Sequence, residues 1–219
     1  GMVSYLKAGL AYADRITTVS PTYAREIQES SERGFGFEGL LRRRSSVLSG
    51  VLNGLDTEVW DPARDASLAR RFGPADATAG KGACKEALRR ECGLEARPER
   101  PLIGVVSRLD YQKGLDLAIA ALEPLLGRVQ FVVLGTGDPA LSESLAALKS
   151  RHPGAVHFQS TFDEPFAHRV YAASDLFLMP SRSEPCGLGQ MIAMRYGAVP
   201  VAARTGGLVD TVFEDDSAG

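Results

Sequence analysis

The sequence predicts an α/β protein built on a doubly wound parallel sheet. Three observations carry that prediction. From Pro101 onward, short apolar runs alternate with helix-length stretches, separated by turns rich in small residues. The runs at 103–106 and 131–134 lack polar alternation, as strands covered on both faces do. The connections between runs are long enough to return the chain to a parallel neighbour by a right-handed crossover.

In chain order, positions 3–13 read as an amphipathic helix and 16–19 as a short strand. Ser20-Pro21 supplies an N-cap followed by proline at the first helical position, opening a helix that runs to about Gln28. A glycine- and arginine-rich loop is expected at 31–44. Positions 47–52 form a strand candidate ended by Asn53-Gly54, a turn signal. The composition changes across the loop, so the chain is divided into 1–46 and 47–219. In the second part, strands are predicted at 102–107, 129–134, 155–160, 175–179 and 198–202. Helices are predicted between them at 114–126, 139–151, 164–173 and 188–196. Pro139 fits the first position of its helix and Asp163 the N-cap of the next.

Composition narrows the function classes. The 219 residues are 44% hydrophobic, enough for one good core. Lys and Arg number 25 against 27 Asp and Glu, a formal charge of -2, which supplies no general attraction to nucleic acid or anionic membranes. The three cysteines, Cys84, Cys92 and Cys186, have no metal-ligand spacing, and His152, His157 and His168 form no ligand pair. A reducing, cytoplasmic setting and no structural metal are expected. No apolar run has the length of a membrane span and no secretory leader opens the chain.

In a doubly wound sheet, ligands bind outside the carboxyl ends of the strands. After the first strand of the sheet comes Ser107-Arg108-Leu109-Asp110-Tyr111-Gln112-Lys113-Gly114. Arg108 and Lys113 lie just before a helix start, where a planar fork and a point charge together suit a pyrophosphate. Two solvated surface cations would give the same pattern. The second strand ends in Gly135-Thr136-Gly137-Asp138-Pro139-Ala140, which fits GxGxxA and keeps an NAD-dependent oxidoreductase as the alternative. Against it, no acid stands at the end of the following strand, about 20 residues on, where a ribose would need one.

Phe162 either offers a face to a nucleobase or packs under a loop. His168 reads as a surface or packing residue. Glu184 in Pro180-Ser181-Arg182-Ser183-Glu184-Pro185-Cys186-Gly187-Leu188-Gly189-Gln190 can accept from vicinal sugar hydroxyls or act as a cap. The amides around Cys186, Gly187, Leu188 and Gly189 can hold an oxygen. Cys186 has no paired base and reads as a packing residue. The last strand delivers Arg204-Thr205-Gly206-Gly207-Leu208, whose bare backbone can approach a phosphate.

Ala11-Tyr12-Ala13-Asp14-Arg15-Ile16-Thr17-Thr18-Val19-Ser20-Pro21-Thr22-Tyr23-Ala24, Gly50-Val51-Leu52-Asn53-Gly54-Leu55-Asp56, Ser107-Arg108-Leu109 with Gln112-Lys113-Gly114, Glu184-Pro185-Cys186-Gly187-Leu188 and Thr205-Gly206-Gly207-Leu208-Val209-Asp210-Thr211 resemble the bacterial glycogen synthase and plant starch synthase family. The match covers essentially the whole chain in the family's order. The resemblance implies the GT-B architecture, two Rossmann-like domains facing a cleft, here truncated at both ends. On that basis 1–46 would be the tail of the N-terminal domain plus linker, and 47–219 an incomplete C-terminal nucleotide-sugar domain.

The resemblance also implies retaining transfer of glucose from ADP-glucose to the non-reducing 4-hydroxyl of an α-1,4-glucan, with no cofactor and no metal. Arg108 and Lys113 would hold the diphosphate, and Glu184 the glucose or ribose hydroxyls. Residues 186–189 would face the donor sugar, Thr205, Gly206 and Gly207 the distal phosphate, and Phe162 the adenine. Ile192 stands where related sugar transferases carry a second glutamate, a difference that marks the synthase branch. Ser183 stands where the family usually has Phe. The implied partners are ADP-glucose, the glucan and the missing N-terminal domain, with no nucleic acid or membrane. The implied location is bacterial cytoplasm or, for a plant protein, the plastid. The fragment alone is expected to bind ADP and to be inactive; a non-catalytic sugar-nucleotide-binding module is the other alternative.

Overall fold

A computed structural model describes residues 4–214. The chain forms two compact units, one of Gly1–Gly54, Ser183–Gly187 and Arg204–Gly219, the other of Leu55–Arg182 and Leu188–Ala203.

The first unit opens with α1 (Tyr5–Tyr12), capped by the Ser4 hydroxyl, which accepts from the Lys7 amide. Position 3, the predicted start of this helix, lies outside the described residues. β1 (Ile16–Thr18) leads into α2 (Pro21–Glu26), where the fully buried Ser20 accepts from the Tyr23 amide at 2.8 Å and Pro21 takes the first turn. The segment predicted as a loop at 31–44 is instead largely helical: α3 (Ser31–Gly34) and α4 (Glu38–Arg43). Phe35 and Gly36, both at positive φ, break it into two pieces, and each piece is too short to show a hydrophobic period. β2 (Leu48–Gly50) pairs in parallel with β1. Gly50 is required there, because a Cβ would lie 2.0 Å from the Ser20 carbonyl oxygen.

The second unit contains α5 (Ala77–Cys92), β3 (Leu102–Val106), α6 (Leu115–Leu122), β4 (Gln130–Leu134), α7 (Pro139–Arg151), β5 (Val156–Gln159), α8 (Glu164–Ala173), β6 (Leu176–Met179), α9 (Gly189–Arg195) and β7 (Val199–Ala202). Its five strands are parallel in the order β5-β4-β3-β6-β7. Successive strand residues feed opposite cores, so Leu102 and Val132 pack with Leu88, Phe166 and Tyr196, while Ile103 and Phe131 pack with Leu115, Leu145 and Leu148. Both faces are therefore covered, which is why these strands read as unbroken apolar runs. The strand order reverses between β3 and β6, the kind of switch point beside which doubly wound sheets bind ligands, at the strands' carboxyl ends. The last helix, α10 (Gly206–Thr211), belongs to the first unit.

Two buried polar clusters brace the second unit. His168 Nδ1 lies 2.7 Å from Asp65 Oδ2, which also accepts from the Tyr196 hydroxyl at 2.6 Å. Burial alone raises the Asp65 carboxyl, but hydrogen bonds from Tyr196, His168 and the Ser67 amide outweigh it and hold the group below its ordinary value. An ionised carboxylate only accepts, so Nδ1 of His168 carries a hydrogen. Trp60 stacks on the imidazole at 4.2 Å, fastening the irregular segment around it to α8. His168 is thus a satisfied packing residue.

In the second cluster, Lys81 Nζ donates to the carbonyls of Ala172, Ser174 and Tyr196 at 2.9–3.0 Å, closing the C-terminal ends of α8 and α9. Burial pushes its pKa down to about 8. Lys81→Met keeps the stem and removes all three donors, so the protein should lose about 3 kcal/mol of stability. In a thermal melt this is a fall of about 6–12 °C; a melting temperature equal to wild type would show that the carbonyls do not depend on Lys81.

Candidate functional site

In the second unit, the predicted cations leave the end of β3 on a turn organised by Asp110. Its carboxylate accepts from the Lys113 amide at 3.1 Å and meets the Arg108 guanidinium at 3.2 Å. One carboxylate therefore ties Arg108 to the backbone of Lys113, and it caps the short 3-10 turn Tyr111–Lys113. Arg108 is 74% exposed in its side chain, whereas Lys113 is half-buried. Gly114 closes the turn at φ 66°, and a Cβ there would lie 2.1 Å from the Pro180 carbonyl oxygen. The turn is thus pressed against the end of β6, across the switch point.

From that end, Arg182 reaches back to the same turn. Its guanidinium donates to both Asp116 oxygens at 2.7 Å and to the Tyr111 carbonyl at 2.9 Å. Its amide donates to the Gln112 carbonyl at 2.8 Å, and its guanidinium sits 4.0 Å over the Tyr111 ring. Hydrogen bonding with Arg182 holds the Asp116 carboxyl below its ordinary value. Neither Asp110 nor the Arg182–Asp116 pair was assigned a role from sequence. The Asp110 cap had a local signal, an Asp three residues before Lys113; the Arg182–Asp116 pair had none, being 66 positions apart.

Phe162, on the turn after β5, is 86% exposed and presents a bare ring rather than packing under a loop. Asp163 caps α8 by accepting from the Phe166 amide at 2.8 Å. Leu188 is the N-cap of α9, with no side-chain hydrogen bond closing that end, and Gly189 opens the helix. The GxGxxA turn has a structural explanation. A Cβ on Gly135 or Gly137 would lie 2.2 Å from the carbonyl oxygen of Ser107 or Leu109 respectively. Asp138 fills the α7 N-terminus itself, accepting from the Ala140 and Leu141 amides. Those glycines let the strand ends pack closely, and a carboxylate already stands where a dinucleotide phosphate would go.

In the first unit, Glu184 and Cys186 are both 5% exposed. Their segment lies against the glycine-rich turn that opens α10. The Gly207 amide donates to the Glu184 carbonyl at 2.9 Å. A Cβ on Gly206, at φ 47°, would fall 2.0 Å from the same oxygen, and one on Gly207 would fall 2.4 Å from Cys186 Cα. Cys186 is therefore a packing surface for the turn, as read from the sequence. The Gly206 amide donates to the Glu26 carboxylate of α2 at 3.0 Å, with the Thr205 hydroxyl at 3.4 Å from it. The donors of this turn already hold an anionic group. Gly187 is half-buried on the same segment.

Residues 100–219 match the family described as glycosyl transferases group 1. The chain belongs to that family. Residues 1–43 match the starch synthase catalytic domain. Among curated relatives of this glycosyl transferase, a glycogen synthase of Elusimicrobium minutum is 53% identical over 97% of the chain, which covers 44% of that protein. A glycogen synthase of Anaeromyxobacter dehalogenans is 55% identical over 98% of the chain, covering 45% of that protein. The chain thus spans less than half the length of the relatives it matches. The catalytic domain of starch synthase IV from Arabidopsis thaliana, solved bound to ADP and acarbose, superposes with a TM-score of 0.90 at 42% identity, over 96% of this chain and 43% of that one. The expected GT-B fold and the kinship with glycogen and starch synthases are therefore established, and no described helix is long and apolar enough to cross a membrane.

Proposed function

We propose that this glycosyl transferase chain is the donor-nucleotide half of a glycogen (starch) synthase, which moves glucose from ADP-glucose, with retention, to the non-reducing 4-hydroxyl of an α-1,4-glucan. The observation that carries the reading is the cationic turn at the carboxyl end of β3, where one aspartate ties Arg108 to Lys113 beside the switch point. The two cations of that turn would neutralise the charge that gathers on departing ADP, which needs preorganised donors when no metal is engaged. In this assignment Glu184 meets hydroxyls of the donor, and the backbone of 186–189 its sugar. The turn of Thr205, Gly206 and Gly207 takes the distal phosphate by exchanging the Glu26 carboxylate for it at the Gly206 amide and Thr205 hydroxyl, and the exposed ring of Phe162 stacks on adenine. No cofactor is needed. Residues 1–46 serve as the tail of an acceptor-side domain plus linker, and the enzyme works in the cytoplasm or a plastid. Without the rest of that domain the chain binds ADP and transfers little or no glucose.

Calorimetric titration of the chain with ADP, ADP-glucose, UDP-glucose and NAD tests this reading. ADP and ADP-glucose should bind, and NAD should bind more weakly than either. NAD binding tighter than ADP-glucose would overturn it.

A further inference from the structure

Accepting the β3 turn as the diphosphate seat, we infer that Arg182 is a positioning residue for Lys113, acting on the donor through the turn and not by touching it. Lys113 sits inside a bracket of residues held by Arg182, the Gln112 carbonyl by its backbone amide and the rest by its guanidinium. On one side are the Tyr111 and Gln112 carbonyls and on the other the Asp116 carboxylate, at 2.7–2.9 Å from Arg182 atoms. Tyr111 is exposed, and the guanidinium covers one face of its ring. Behind the turn, Gly114 already rests on the Pro180 carbonyl, so the segment is stopped from one side and pulled from the other.

The clamp is poorly suited to a stabilising role. Arg182 and Asp116 keep 27% and 43% of their side chains exposed, and ion pairs in such positions add little to folding. Its geometry is nonetheless fully specified: a bidentate fork, a carbonyl contact and a ring stack from one planar group, which lysine cannot reproduce. Such a device fixes a position. Placement matters at a phosphate-binding cation, because a charge-assisted hydrogen bond weakens steeply away from its normal length and angle.

The test is a double-mutant cycle read by ADP calorimetry and thermal melting on the 219-residue chain, with Arg182→Ala, Arg182→Lys and Asp116→Asn each made with Lys113 intact and in Lys113→Ala. With Lys113 present, both Arg182 variants should weaken ADP about tenfold while the melting temperature moves by less than about 2 °C. In the Lys113→Ala background the same changes should add less than about twofold, because the group they position is gone. The amide resonance of Lys113, which should shift on ADP addition in the wild type, should cease to do so in Arg182→Ala. Asp116→Asn keeps the shape of the clamp and should reproduce the pattern in weaker form if Arg182→Ala does not fold. Equal losses in both backgrounds, or wild-type ADP affinity in Arg182→Ala, would overturn the inference alone. Undiminished ADP binding by Lys113→Ala would overturn the seat itself and the inference with it.

Discussion

Lys113→Ala should weaken ADP binding by on the order of 1.5–3 kcal/mol, the contribution of a charge-assisted contact to a phosphate. In Kd this is about 10- to 150-fold. Lys113 is half-buried, its amide is capped by Asp110, and Gly114 holds the turn that carries it against Pro180. Arg108 differs, being exposed and shared with Asp110. Arg108→Ala should therefore cost less than Lys113→Ala and show the steeper dependence on salt, as exposed charges are screened more. Neither change touches the core, so both variants should melt as the wild type does. Titration at low and at physiological ionic strength gives both comparisons; an ADP affinity unaltered by Lys113→Ala removes that residue from the site.

Gly207→Val should damage both the stability of the first unit and donor binding. The added Cβ would fall within 2.3–2.7 Å of three backbone atoms of Cys186, and backbone cannot yield as a side-chain tip does. The 184–186 segment must then separate from the α10 turn, breaking the bond from the Gly207 amide to the Glu184 carbonyl. Overpacking of this kind costs about 1–3 kcal/mol, a fall in melting temperature of about 2–12 °C. ADP-glucose affinity should drop about tenfold or more, because Glu184 and the glycine amides move together. Gly127→Ala is the control: a Cβ there meets nothing within 4 Å, and both readouts should stay at wild-type values. Wild-type affinity in Gly207→Val would remove the turn from the donor site.

The strands and helices of the second unit were legible because their signals are local. α7 and α8 begin and end at the predicted residues, each marked by an aspartate cap and an early proline. The strands came out within a residue or two of expectation, since burial on both faces leaves an uninterrupted apolar run. α5 gave no such signal. Its buried face is Gly80, Cys84, Leu88 and Cys92, mostly small residues at every fourth position, with the buried Arg89 beside them. Arg89 is satisfied by Gln130, 41 positions on, and by the Arg100 carbonyl.

At the candidate site, the two cations and the glycines were singled out by residue type and spacing. What fixes them could not. The carboxylate on the 204–207 turn comes from Glu26, and the brace on the Lys113 turn from Arg182, each arriving through the fold from a distant stretch of chain. The GxGxxA turn misdirected for a related reason: its glycines answer to the Ser107 and Leu109 carbonyls, a demand of strand packing that a sequence pattern cannot tell from a demand of a ligand.

A crystal structure of the chain with ADP tests the central claim most directly. The account predicts both phosphates at the carboxyl end of β3, within hydrogen-bonding distance of the Arg108 guanidinium and the Lys113 ammonium. Phosphates lodged instead at the 135–140 turn, with neither cation in reach, would contradict it.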